Sequence, residues 1–70
     1  MDVATFERMV TELRLLDERI GRLESFTHPA NSKFTHLEPS DQELLAAQLA
    51  GMTAYRAALA KRITRAARSL

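Results

Sequence analysis

Seventy residues with a net charge of +1 bound a single domain, residues 1–70. The absence of cysteine excludes a disulfide staple and a thiolate metal site. Charges interrupt every apolar window, which excludes a membrane span, and MDVATFER lacks the basic start and apolar stretch of a secretory signal, so a cytoplasmic protein is expected.

Helix one is expected over about 3–26, with Asp2 as its N-cap. Phe6, Met9, Leu13, Leu16, Ile20 and Leu23 follow alternating steps of three and four, the narrow apolar seam of coiled-coil-like packing. Charged residues fill the other faces, and Glu18 with Arg22 has i,i+4 spacing, worth about 0.3 kcal/mol. Pro29 disfavours helical geometry at His28 and ends the helix near there.

A connector over about 27–39 carries one triplet twice, Phe26-Thr27-His28 and Phe34-Thr35-His36. Two loop histidines without further ligands do not make a zinc site. The serines and threonines near those histidines have no orienting acid at a recognisable spacing, so neither catalysis nor a cofactor is expected. Phe26, Phe34 and Leu37 read as plugs at the hairpin end. The competing reading is a small-anion pocket of Asn31, Lys33 and His36 around an aromatic ring.

Helix two is expected over about 40–69. Ser40-Asp41-Gln42-Glu43 fits a capping box behind Pro39. Only Gly51 weakens the helix, by about 1 kcal/mol against alanine. About thirty residues span roughly 45 Å. Leu45, Met52, Leu59 and Ala66, with Leu49, Ile63 and Leu70 one column over, form the seam facing helix one. The expected fold class is all-α, an antiparallel two-helix hairpin.

Two further features of helix two call for a partner or a ligand. Ala47, Gly51, Ala54 and Ala58 form a row of small residues that allows close approach of another backbone. A two-helix hairpin cannot hide that row as well as its seam, so a homo-oligomeric helical bundle is expected. Gln48, Tyr55, Arg62 and Ser69 repeat every seven residues. As a buried ladder they would fix register, with Arg62 paired to Glu12 or Asp17. As a site, tyrosine stacks on a base, glutamine reads its edge and arginine binds phosphate.

Charge is unevenly distributed. Residues 1–43 hold five Lys/Arg against nine Asp/Glu, whereas residues 44–70 hold five Lys/Arg and no acid. Positive charge late in a helix complements its dipole. It also raises nucleic-acid binding through Arg56, Lys61, Arg62, Arg65 and Arg68, which the acidic first helix and the lack of helix-turn-helix spacing disfavour.

The runs ELRLLDERIGRLESF and LEPSDQELLAAQLAGMTAYRAALAKRI resemble a family of small phage and prophage hairpin proteins named after a protein of a crAss-like phage. Its pattern is ELxxLxxKIxxLxxF, a short connector with a second Phe, then LLxxQLxAMxxYxxILxxRI. The most specific matches are Gln48, Met52, Tyr55 and Arg62. Gly51 and Ala58 depart toward smaller residues, and the connector is unusually rich in His, Pro and Asn. Similar architectures include anti-CBASS and anti-Thoeris sponges, which trap cyclic nucleotides or cyclic ADP-ribose between subunits.

The resemblance implies a non-enzymatic anti-defence protein in the cytoplasm of a phage host. It would sequester a cyclic nucleotide signal with Gln48, Tyr55, Arg56 and Arg62, closed by Lys33 from the connector. The alternative is an oligomeric protein-interaction module with no small-molecule ligand, docking through the small-residue row.

Overall fold

The computed structural model describes residues 1–70. Three helices follow one another: α1 over Val3–Phe26, a single turn α2 over Ser32–Thr35, and α3 over Pro39–Ala67. There is no strand, and α1 packs along α3 as a hairpin. The molecule is a rod of 48 × 15 × 14 Å with a radius of gyration of 15.6 Å. A compact chain of this length would have a radius near 11 Å.

The helix ends have local causes. Asp2 Oδ1 accepts the Thr5 N–H at 2.7 Å, satisfying one of the orphan donors of α1. At the other end the Thr27 N–H returns to the Leu23 carbonyl at 2.9 Å, and the Thr27 hydroxyl donates to the same oxygen at 2.9 Å. The expected capping box at Ser40 does not form. Instead α3 starts one residue earlier, with Pro39 in its first turn and Glu38 as an N-cap that makes no side-chain bond. Proline has no N–H to leave unsatisfied and its fixed φ suits the first helical position, so Pro39 opens the helix that it was expected only to precede. Gln42 ties this end to the connector, donating to the Leu37 carbonyl at 2.9 Å.

The packed seam of α1 is the expected one: Met9, Leu16 and Ile20 are buried, and Phe6, Leu13 and Leu23 are half-buried. On α3 the seam runs Gln42, Leu45, Leu49, Met52, Arg56, Leu59, Ile63, Ala66, in steps of three and four. These eight and Ala60 are the only residues of α3 that are not exposed. Leu59 is fully buried at the centre, against Met9, Leu16 and Ile20.

Three expectations fail here. Leu70 lies beyond the helix end and is 57% exposed. The column of Gln48, Tyr55 and Arg62 is not buried in the seam but lies exposed on its flank. The seam position between Leu49 and Ile63 is taken by Arg56 instead. At i,i+4 on α1, Glu18 pairs with Arg14 at 3.2 Å and not with Arg22.

Only five residues are buried: Met9, Leu16, Ile20, Leu59 and Ala66. The chain exposes 5196 Å², where a compact 7.9 kDa protein exposes about 4,400 Å². So small a core makes each buried side chain count. Leu59→Ala should cost about 3 kcal/mol in urea unfolding followed by circular dichroism, whereas Leu70→Ala should stay within about 0.5 kcal/mol.

Candidate functional site

The connector is built as a joint. Phe26 and Phe34 meet edge to face, with ring centroids 6.1 Å apart and planes at 75°. Asn31 Oδ1 accepts the Lys33 and Phe34 N–H groups at 3.0 and 3.1 Å, capping α2. The two histidine rings also serve the local backbone. His28 Nδ1 accepts the Ala30 N–H at 3.0 Å, and the His36 ring bonds the Ser32 carbonyl. The Asn31 oxygen and the His36 Nδ1 of the imagined anion pocket are therefore already used in folding the joint. Lys33 is exposed.

In an antiparallel hairpin the columns on either side of the two seams face each other in pairs. On one flank Glu12 and Arg19 of α1 face Gln48, Tyr55 and Arg62 of α3. The Tyr55 hydroxyl donates to Glu12, which divides this flank in two. Arg56 points the other way and forms a two-point pair with Asp17, its Nη2 donating to Oδ2 at 3.2 Å. The partners expected for Arg62 are thus taken, Glu12 by Tyr55 and Asp17 by Arg56. No ion pair holds Arg62.

The Glu12 contact raises the Tyr55 phenol above its usual value of 10.0, first through the hydrogen bond and then through desolvation and the carboxylate charge; the nearby Arg62 opposes the shift. The Asp17 carboxylate raises the Arg56 guanidinium further.

Each half of the flank is a shallow open cleft. Toward the connector, Arg19, Arg22, Gln48 and the apolar Leu23, Phe26 and Met52 line about 350 Å³. Toward the chain ends, Arg62 and Arg65 stand with Met1, Met9, Ala66 and Ser69 around about 270 Å³. A third depression of about 440 Å³ lies on the outside of α3 between Lys61, Thr64, Arg65 and Arg68. Of the ten Lys/Arg only Arg14 and Arg56 form ion pairs, so eight cations keep their full capacity for an anion.

One chain does not gather the five expected ligand residues. Gln48 lines the connector-side cleft and Arg62 the other, Tyr55 bridges between them, Arg56 faces the opposite flank, and Lys33 is on the joint. Arg19 and Arg22 were not anticipated as site residues, because on a single helix they read as a solvated charged face. The signal lay in register: Arg19 shares a seven-residue column with Phe26 and Glu12, and that column faces the one holding Gln48 and Tyr55.

These features define an elongated antiparallel helical hairpin with arginine-bearing clefts along one flank and an outer helix face of small residues. The family model described as Sequestin matches residues 4–65, and the chain belongs to the Sequestin family. Comparison with curated proteins and with solved structures gave no match. The family name points to a sequestering role. No helix is long and apolar enough to cross a membrane.

The tyrosine bridge is directly measurable, because Tyr55 is the chain's single tyrosine. Its raised pKa means that the folded state holds the phenolic proton more tightly than the unfolded state does. The associated stability is present below the ordinary tyrosine pKa and is lost as pH rises through the folded value. Ultraviolet titration should give a midpoint above 10, and Glu12→Ala should lower it; equal midpoints would remove the bridge.

Proposed function

We propose that this protein is a non-enzymatic sequestering protein that captures a cyclic nucleotide-type signal in sites closed between copies of the hairpin. The observation that carries this reading is the connector-side cleft. Two guanidinium groups without acidic partners stand beside an amide and an apolar wall of Leu23, Phe26 and Met52. Guanidinium matches phosphate in a bidentate fork, the amide pairs with a base edge, and an aromatic or sulfur-bearing wall takes a planar ring.

Membership of the Sequestin family supports capture without turnover. An anti-defence role in a phage-infected cell, with the cytoplasm as its place, follows from the resemblance and belongs to the proposal.

The cleft is too open to desolvate a ligand alone. In the proposed assembly, copies associate through Ala47, Gly51, Ala54 and Ala58, all exposed on the side of α3 away from α1. Tyr55 or Arg62 of one copy then completes the cleft of another. Tyr55 keeps 43% of its surface exposed, so its ring face remains usable while its hydroxyl is held by Glu12.

The test is thermal unfolding against a panel of cyclic di- and trinucleotides and cyclic ADP-ribose isomers. A ligand that binds only the folded state stabilises it by about 2.7 kcal/mol at a hundredfold excess over Kd. One class should shift the transition, and Arg19→Ala with Arg22→Ala should abolish the shift while helicity is retained. If Tyr55→Ala and Arg62→Ala abolish it instead, the ligand sits on the α3 column. A flat panel would sink the sequestering reading.

The second reading, a protein-interaction module, is favoured by the small outer face of α3. It expects no small-molecule response and expects Ala54→Leu to block partner binding; a partner retained by that variant would count against it. Nucleic-acid binding through the outer cations around Lys61 and Arg68 would be recognised by a steep fall of affinity with salt.

A further inference from the structure

We infer that the outer face of α3 packs against the same face of a second copy, antiparallel, about a two-fold axis passing between Met52 and Thr53. This rests on the self-association within the proposed function and adds the partner's direction and register.

Three observations converge on it. First, Gly51 has no role within its own hairpin. Its φ is not positive, and a Cβ built on it would meet nothing within 4 Å. Gly21 of α1 also faces open space, but only Gly51 stands in a row with Ala47, Ala54 and Ala58, where a second backbone can come close.

Second, the row reads the same in both directions. Ala47, Gly51, Ala54 and Ala58 are spaced four, three, four, and the same pattern extends outward to Leu44 and Lys61, then to Ser40 and Arg65. About the inferred axis Gly51 faces Ala54 and Ala47 faces Ala58, each pair occurring twice. Leu44, the most exposed large apolar residue at 68%, then lies along the aliphatic stem of the partner's Lys61.

Third, the charges choose the direction. Glu38, Asp41 and Glu43 cluster at the start of α3, while Lys61, Arg65 and Arg68 cluster at its end with no acid anywhere in residues 44–70. None of these six forms an ion pair within its own chain. Antiparallel pairing lays each acidic start along a basic end, twice. Parallel pairing superposes the two basic ends.

The chain has no cysteine, so an introduced one reports without background. Ala47→Cys and Ala58→Cys are prepared separately, one of them labelled with ¹⁵N, checked for helicity, mixed in equal amounts and mildly oxidised. Small residues allow an interaxial distance at the lower end of the usual range, about 8 Å, which brings facing Cα atoms within disulfide reach. The mixed-label disulfide dimer should dominate. Each variant alone should stay reduced, since like positions lie eleven residues or roughly 16 Å apart along the axis. Same-label dimers at both positions would establish a parallel pairing and overturn the inference. So would a sedimenting oligomer without a disulfide, or a monomer at 100 µM. A mixed-label dimer with a flat ligand panel would leave this register standing and end the sequestering reading. A ligand shift without the mixed bridge would do the reverse.

Discussion

The structure depends on one interface, the interlocking of the α1 and α3 seams around the fully buried Leu59. A pair of helices has only one mutual contact, so each helix can turn about a third of its circumference inward. Everything else about the molecule follows from this geometry. The rest of α3 is exposed, and the residues placed there need not be those of a core. That is why alanine, glycine and a run of cations occupy α3 outside its seam, and why polar residues on its flank carry no burial penalty.

Electrostatics then divides the surface. Two acids of α1 are used across the hairpin, Glu12 by Tyr55 and Asp17 by Arg56, on opposite flanks of the seam. Exposed pairs of this kind add little stability, but together they specify how α1 and α3 are aligned along their length. Arg56 is the sharper device. It is a charged residue at a seam position, half-buried, tolerated because its head leaves the seam for Asp17. A sliding of one helix by a turn would break this pair, so the pair favours the observed register. Of the cations, only Arg14 and Arg56 form ion pairs.

The hairpin and its seams were legible because a seven-residue apolar repeat over two long segments has few other physical solutions. The aromatic joint was legible for a different reason: Phe26 and Phe34 flank Pro29, where the chain must reverse. At the start of α3 the capping-box pattern at Ser40 competes with proline's compatibility with the first helical turn, and proline prevails. The flank position of Gln48, Tyr55 and Arg62 is not legible in the sequence, because spacing by seven does not distinguish a seam from its flank. That distinction needs the pairing of columns between helices. The same pairing turns Arg19 and Arg22 from surface charges into neighbours of Gln48. Leu70 lay on the correct spacing but past the point where the helix frays.

Under the proposed function the open clefts and the small outer face answer one requirement. Guanidinium groups on a shallow surface bind phosphate weakly, because water and salt screen them. Tight capture requires excluding water on both sides of the ligand, which a rod about 15 Å across cannot do alone. In the proposed assembly a second hairpin supplies the missing wall, and binding and association become thermodynamically linked. A ligand held between copies must strengthen their association by the same factor by which association strengthens its binding. Gly51 weakens an isolated helix, and unpaired cations at one end of α3 repel each other. In the proposed assembly both costs are offset when copies meet, so the features least favourable to a single hairpin are those that suit the proposed closure on a ligand.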